Sequence, residues 1–206
     1  MDFSFVFIIL VLLFSVVLHE VSHGVIANHL GDSTAKNLGR LTLNPIPHLD
    51  LFGSILLPLF LVLVDAGIVF GWAKPVPVNP FNLRDQKYGY AKVALAGPAS
   101  NLSLALVFGL ILRFLPDNFF NPSLFFILTY IVFINIILAV FNLVPIPPLD
   151  GSHVLFAVLP DTMNDAKHFL SRYSFVIFFV VLFLFFDWII LATNFIFKAI
   201  TGFAAF

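Results

Sequence analysis

The residues with the plainest chemical purpose are His19, Glu20 and His23, in the run Leu18-His19-Glu20-Val21-Ser22-His23-Gly24. On a helix, positions four apart lie about 6 Å apart along the axis on one face, so both imidazoles can reach one metal ion. Glu20 then stands beside His19, where its carboxylate can touch a water on that ion. Two neutral nitrogen ligands with an adjacent carboxylate base are what zinc hydrolases use to activate water. Glu20 is the sole glutamate of the chain, and the motif is flanked by Ile8-Ile9-Leu10-Val11-Leu12-Leu13-Phe14 and Val25-Ile26-Ala27. A carboxylate inside such a span costs roughly 2.5 kcal/mol or more on insertion scales, so a merely solvated motif does not account for it.

A catalytic zinc takes three protein ligands and keeps a fourth position for water. Cysteine is absent, which excludes a thiolate site and any disulfide framework. The candidates for the third ligand are Asp150, Asp50, His48 and His153. Asp150 follows a proline-broken segment and precedes Gly151, so the chain can turn there and present a carboxylate. Asp50 closes a partial echo of the same sequence, Pro45-Ile46-Pro47-His48-Leu49-Asp50 against Pro145-Ile146-Pro147-Pro148-Leu149-Asp150. Local chemistry favours Asp150 only modestly.

The elements that must hold these groups are membrane helices. Of 206 residues 61% are hydrophobic and 10% charged, with a mean hydropathy of +1.07. A soluble domain carries about 25% charged residues, so the composition is that of an integral membrane protein in a lipid bilayer. A formal net charge of -1 excludes a nucleic-acid partner as an expectation. No positive region precedes the first apolar run, which reads as a retained span and not a cleaved signal peptide. The expected fold is an α-helical polytopic membrane protein, a bundle of about 4–6 transmembrane helices with short re-entrant or β-ribbon segments.

In chain order, a span over 3–29 ends at Gly31-Asp32, a helix stop. A ribbon and re-entrant region covers 38–80. Leu41 and Leu43 alternate with polar neighbours, and Pro75, Pro77 and Pro80 suit an exposed extended edge. A third stretch spans 91–115 and opens on Ala96-Gly97-Pro98-Ala99-Ser100-Asn101. Asn101 is expected to face the bundle as an interhelical hydrogen-bonding group. A span over 123–144 then dissolves into the Asp150-Gly151 segment, 160–172 reads as a polar linker, and 173–206 makes one long span or two short ones. Asp65 and Asp187 read as helix ends or water-facing turns, and His29 and His168 as interfacial.

An H-E-x-x-H in an early span, A-G-P-x-x-N opening a middle one and N-x-x-P-x-P-x-L-D-G after a later one resemble the site-2 protease family of intramembrane zinc metalloproteases. The three motifs run from residue 19 to 151. The resemblance implies that His19, His23 and Asp150 bind one zinc ion per chain and that Glu20 activates the water. It implies that Asn142 helps to hold the substrate carbonyl or its oxyanion. It also implies that the substrates are transmembrane helices of other membrane proteins. Asn101, His48 and His153 are the candidates for supporting the ligands from behind. The chain departs from many members in lacking room for an inserted PDZ domain or a CBS pair.

Topology tests this reading. His23 and Asp150 both lie near C-terminal ends of their spans, so those spans must run parallel with one crossing between them. Residues 91–115 supply it, and 51–72 is therefore expected to be re-entrant or a surface-buried hairpin. Eight of ten Lys and Arg residues then fall on one side, leaving Arg113 and Lys198 elsewhere. By the positive-inside rule the site opens towards the cytoplasm from a cell, or inner, membrane. The expected function is hydrolysis of peptide bonds in or near transmembrane segments. The alternatives are a metal transporter or a catalytically silent helix-binding relative. Neither explains the sole glutamate in catalytic spacing, and the echo at 45–50 is too short for a transporter's repeated halves. Nothing in the sequence sets an oligomeric state.

Overall fold

The computed structural model describes residues 3–64, 71–116 and 121–205. Among the described residues, four helices are long and apolar enough to cross a membrane. They are α1 (Phe3–His29), α4 (Gly89–Phe114), α5 (Pro122–Asn142) and α8 (Ser174–Thr201). Between them lie the short helices α2 (Thr34–Asn37), α3 (Leu57–Leu63), α6 (Asp150–Val158) and α7 (Asn164–Arg172). At 1.5 Å per residue each long helix covers at least the ~30 Å of hydrocarbon.

Their ends are written locally. Asn121 caps α5 by accepting from the Leu124 amide, with Pro122 in the first turn, where a missing N–H costs nothing. At the other extreme Gly202 ends α8 at φ +90, a left-handed stop that a side chain resists. No residue between Ser174 and Thr201 breaks α8, so the C-terminal stretch is one span. Asp187 is therefore not a helix end but an exposed residue at the middle of that span.

Helix α4 is the axis of the bundle and packs on α1, α5, α6 and α8. Away from the motif end, Ala105 and Leu112 of α4, Leu128, Val132 and Ile136 of α5 and Phe197 of α8 form a dry core. Gly109 lets α8 approach closely, because a Cβ there would meet Ile200 at 2.5 Å. Near the motif a second core joins Ala27, Leu83 and Val93.

The two described parts of residues 51–72 meet. A π-helical turn (Leu51–Leu56) runs into α3, a total length well short of a crossing, and the Trp72 amide donates to the Gly53 carbonyl at 3.1 Å. Both ends thus lie together, as a re-entrant segment requires. Residues 65–70, and with them the reading of Asp65, lie outside the described residues.

The β-ribbon expectation is not met: no strand forms among the described residues. Pro45 and Pro47 wind into a 3-10 turn (Ile46–His48), and 73–79 takes no regular structure and pairs with no strand. Prolines 75, 77 and 80 offer no amide, while Arg40 takes the carbonyls of Lys74 and Pro75 at 3.0 and 3.3 Å. Likewise 160–172 is no plain linker, since Asn164–Arg172 is helical.

Candidate metal centre

Helix α1 presents His19 and His23 one turn apart, and α6 opens on Asp150. The Nε2 atoms of His19 and His23 stand 3.0 and 3.3 Å from one oxygen of Asp150. All three ligand atoms lie within 4.8 Å of one another, the arrangement that holds a metal ion. Parallel α1 and α5, with one crossing between them, are what bring these ends together.

The tautomers of both imidazoles follow from their backing groups. His19 Nδ1 donates to Asn101 Oδ1 at 2.6 Å, and His23 Nδ1 donates to the Val93 carbonyl at 2.8 Å. Asn101 cannot be turned the other way round, because its amide nitrogen already donates to the Ser15 carbonyl and to Asn135 Oδ1. Asn135 in turn donates to Ser15 Oγ at 2.9 Å. With the protons on Nδ1, each Nε2 turns a bare lone pair towards the Asp150 carboxylate. Two lone pairs and a carboxylate oxygen, all acceptors, converge with no donor among them. A divalent cation satisfies that set, and two imidazoles with a carboxylate suit zinc.

Space for the ion is set by α4. A Cβ on Gly97 would stand 2.5 Å from both Nε2 atoms, so the backbone itself forms that wall. The sequence shows Gly97 only as a small packing residue; its glycine-proline pair beside Asn101 was the available signal. Gly151 has a comparable duty, since a Cβ there would lie 2.2 Å from the Leu143 carbonyl. It lets the chain double back so that Asp150 can reach α1.

A cavity of ≈ 250 Å³ opens beside the three ligands, lined also by Glu20, Asn142, His153, Tyr90 and the 75–78 segment. Glu20 Oε2 accepts the Val76 amide at 2.8 Å, which aims the carboxylate across the cavity mouth. Asn142 lines the wall while its amide donates to Leu138 O at 2.9 Å. His153 packs edge-on against Tyr90 with centroids 4.4 Å apart, and burial holds its imidazole below the ordinary range. Tyr90 and Ser15 are the contributors that motif reading does not reach, because neither lies in a spaced pattern.

Two of the sequence candidates sit elsewhere. His48 is fully buried in the 3-10 turn, where its Nε2 donates to the Thr42 carbonyl at 2.9 Å and its carbonyl receives the Lys74 amide. Asp50 caps the π-helical turn by accepting the Gly53 amide at 2.7 Å. Asp32, at the stop after α1, ties down the loop over the cavity. It accepts from the Asn79 amide at 2.7 Å and Asn82 Nδ2 at 2.9 Å, as well as from Thr34. Burial opposes its charge, yet these donors together hold its carboxyl below the usual range.

Comparison with known proteins agrees with this geometry. Residues 116–185 match the model of Peptidase family M50. The chain is 37% identical over 182 residues to a Bacillus subtilis protein named "Putative zinc metalloprotease YwhC", covering 85% of this chain and 79% of that one. It is 32% identical to "Putative zinc metalloprotease Rip2" of Mycolicibacterium smegmatis, covering 86% and 67%. A shorter match, 48% identical over 65 residues, joins it to a Methanocaldococcus jannaschii protein named "Putative zinc metalloprotease MJ0611". No solved structure matches at a significant level. A likeness to the Bacillus subtilis relative over 85% of this chain, in which the spaced histidines and late aspartate meet inside a helical bundle, places it in peptidase family M50, the site-2 protease family.

Proposed function

We propose that the chain is a zinc-dependent endopeptidase that hydrolyses peptide bonds in or near transmembrane segments of other membrane proteins. One observation carries the reading: two imidazole lone pairs and the Asp150 carboxylate converge on one point, with Glu20 on the same cavity. His19, His23 and Asp150 are the residues that would hold one zinc ion per chain. Zinc bound there supplies Lewis acidity and lowers the pKa of its water towards about 7.

The remaining work falls to the chain itself. Glu20 takes the proton from the attacking water and returns it to the leaving amine. Its bond to the Val76 amide sets the carboxylate's orientation before substrate arrives. Asn142 uses one amide proton on Leu138 O, which leaves its second to donate to the developing oxyanion. Asn101 and the Val93 carbonyl keep the ligand histidines in the productive tautomer. His153 and Tyr90 form the far wall of the cavity and bound what can enter it.

A helical substrate hides its amides, so it must be unwound locally before attack. The 73–79 segment borders the cavity through Pro75, Val76 and Val78 and is the surface against which an unwound stretch can lie. We place that mouth on the cytoplasmic side of a cell membrane. Lys36, Arg40, Lys74, Arg84, Lys87 and Lys92 all belong to the two connections and the helix start around it.

The test is cleavage of a panel of single-span substrates by purified wild-type and Glu20→Gln protein, with zinc measured in both. The expected result is equal zinc and a rate lower by about 10²–10⁴-fold in the variant, the usual worth of a general base. Zinc binding without cleavage by either protein would instead support the silent relative.

A further inference from the structure

Helix α8 leaves one face bare, and that face is not uniformly apolar. Its buried side carries Phe178 and Ile189, which bind it to the bundle. At about 100° per residue, Asp187 lies on the opposite side of the helix from both. It is exposed, and its neighbours on that side are exposed too: Val180 at 49%, Leu184 at 68% and Leu191 at 60%. Asn194 and Lys198 continue the line. The positions 180, 184, 187, 191, 194 and 198 alternate steps of four and three, the seam by which one helix packs along another. Asp187 is at the midpoint of a 28-residue span, about 20 Å from either end. Lipid can cover valine and leucine there, but it offers nothing to a carboxylate, and the short aspartate side chain cannot reach the interface.

Among the described residues no cation pairs with it. Arg113 is spent on the Ala199 and Ile200 carbonyls, and Lys198 is three turns farther along the same helix. Lys92 is paired with Asp85. A second copy inserted the same way would set Asp187 against its own equivalent at the same depth, two carboxylates in hydrocarbon. The cation must come from a different polypeptide.

We propose that the outer face of α8 is the docking surface for a transmembrane helix of another protein that carries a lysine or arginine at mid-depth, paired with Asp187. The partner lies along the seam, with Asn194 as a second polar contact one heptad on. Trp188, next to Asp187, borders an apolar groove of ≈ 500 Å³ shared with Val144, Pro145 and Ile146. Those last residues lead directly into Pro148 and Asp150, which line the metal cavity. A helix seated on α8 thus stands beside the loop that delivers the third ligand.

The experiment uses the full chain, donor-labelled in zwitterionic liposomes, and three acceptor-labelled leucine-rich peptides of about 20 residues bearing a central Lys, Leu or Asp. Energy transfer should show the Lys peptide binding about tenfold or more tighter than the Leu peptide, the scale of a strong polar contact in a membrane. That preference should disappear in Asp187→Leu protein whose zinc content matches the wild type, which separates lost docking from misfolding. Equal binding of Lys and Leu peptides, or a preference that survives Asp187→Leu, overturns the proposal. So does Asp187-dependent transfer between donor- and acceptor-labelled copies of the chain that the Lys peptide fails to displace. None of these readouts depends on proteolysis, so the docking surface and the proposed catalysis stand or fall separately.

Discussion

Pro45-Ile46-Pro47-His48-Leu49-Asp50 and Pro145-Ile146-Pro147-Pro148-Leu149-Asp150 differ at one position, and they do different work. Each ends on an aspartate that begins a helical segment. Asp50 spends its carboxylate on the Gly53 amide of its own turn. Asp150 makes no such local bond and turns to His19 and His23, which α1 holds within 3.3 Å. What separates them is the element that precedes each. Asp150 follows a span parallel to α1 and ends at its level, whereas Asp50 follows a connection at the edge of the bundle. The histidine in the first copy is buried and spent on Thr42, while its counterpart Pro148 lines the cavity. A local sequence pattern thus specifies a helix-starting aspartate, and the topology around it decides whether that aspartate meets the two histidines.

The sharpest way to break this contrast is to neutralise each aspartate in turn. Asp150→Asn removes a ligand, so zinc affinity should fall by more than the roughly 10–100-fold that a supporting group is worth, with proteolysis abolished. Zinc analysis of the purified variant after dialysis checks it. Asn101→Ala removes the acceptor behind His19 and leaves the ligand in place. Its zinc affinity should fall by about 10–100-fold, read by competition with a chelator.

Asp32 lets the connections be probed without touching the centre. Its folded carboxyl is held below its unfolded value of about 4, so its contribution is complete above that pH and is lost as pH falls through the folded value. In detergent, and in an Asp150→Asn background that removes the ligand's own titration, the parent should lose melting temperature below about pH 4. Adding Asp32→Asn should flatten that fall. At neutral pH the same change should cost about 1–3 kcal/mol, because donors on Asn79, Asn82 and Thr34 lose their acceptor. The smallest effect belongs to Asp50→Asn. It should leave zinc unchanged and cost no more than about 0.5–2 kcal/mol, the worth of a helix cap, measured by thermal unfolding.

Much of this molecule is legible in its sequence because membranes and metals are strict. Hydrocarbon admits few kinds of segment, so apolar length alone locates α1, α4, α5 and α8. Metal binding needs set spacings, so His19, Glu20 and His23 announce themselves, and the contact of Trp72 with Gly53 fits the return that parallel spans require of 51–72. Other features have no such signature. The 73–79 stretch looked like half of a ribbon, but whether a ladder forms depends on where the partner amides and carbonyls are, and prolines and Arg40 had removed them. The duty of Gly97 depends on which helix passes beside it. Asp187 looked like a break because a charge seldom sits in mid-span, yet helical hydrogen bonding continued through it.

Taken alone, the sequence determined the class of protein, three of its spans and two spaced histidines with a carboxylate beside them, since each follows from local spacing and hydropathy. Only the tertiary structure decided between Asp150 and Asp50, assigned the histidine tautomers through Asn101 and Val93, and turned Asp187 away from the bundle. Those outcomes rest on which groups from distant parts of the chain come within hydrogen-bonding reach, and that is set by how four helices pack and not by any one of them.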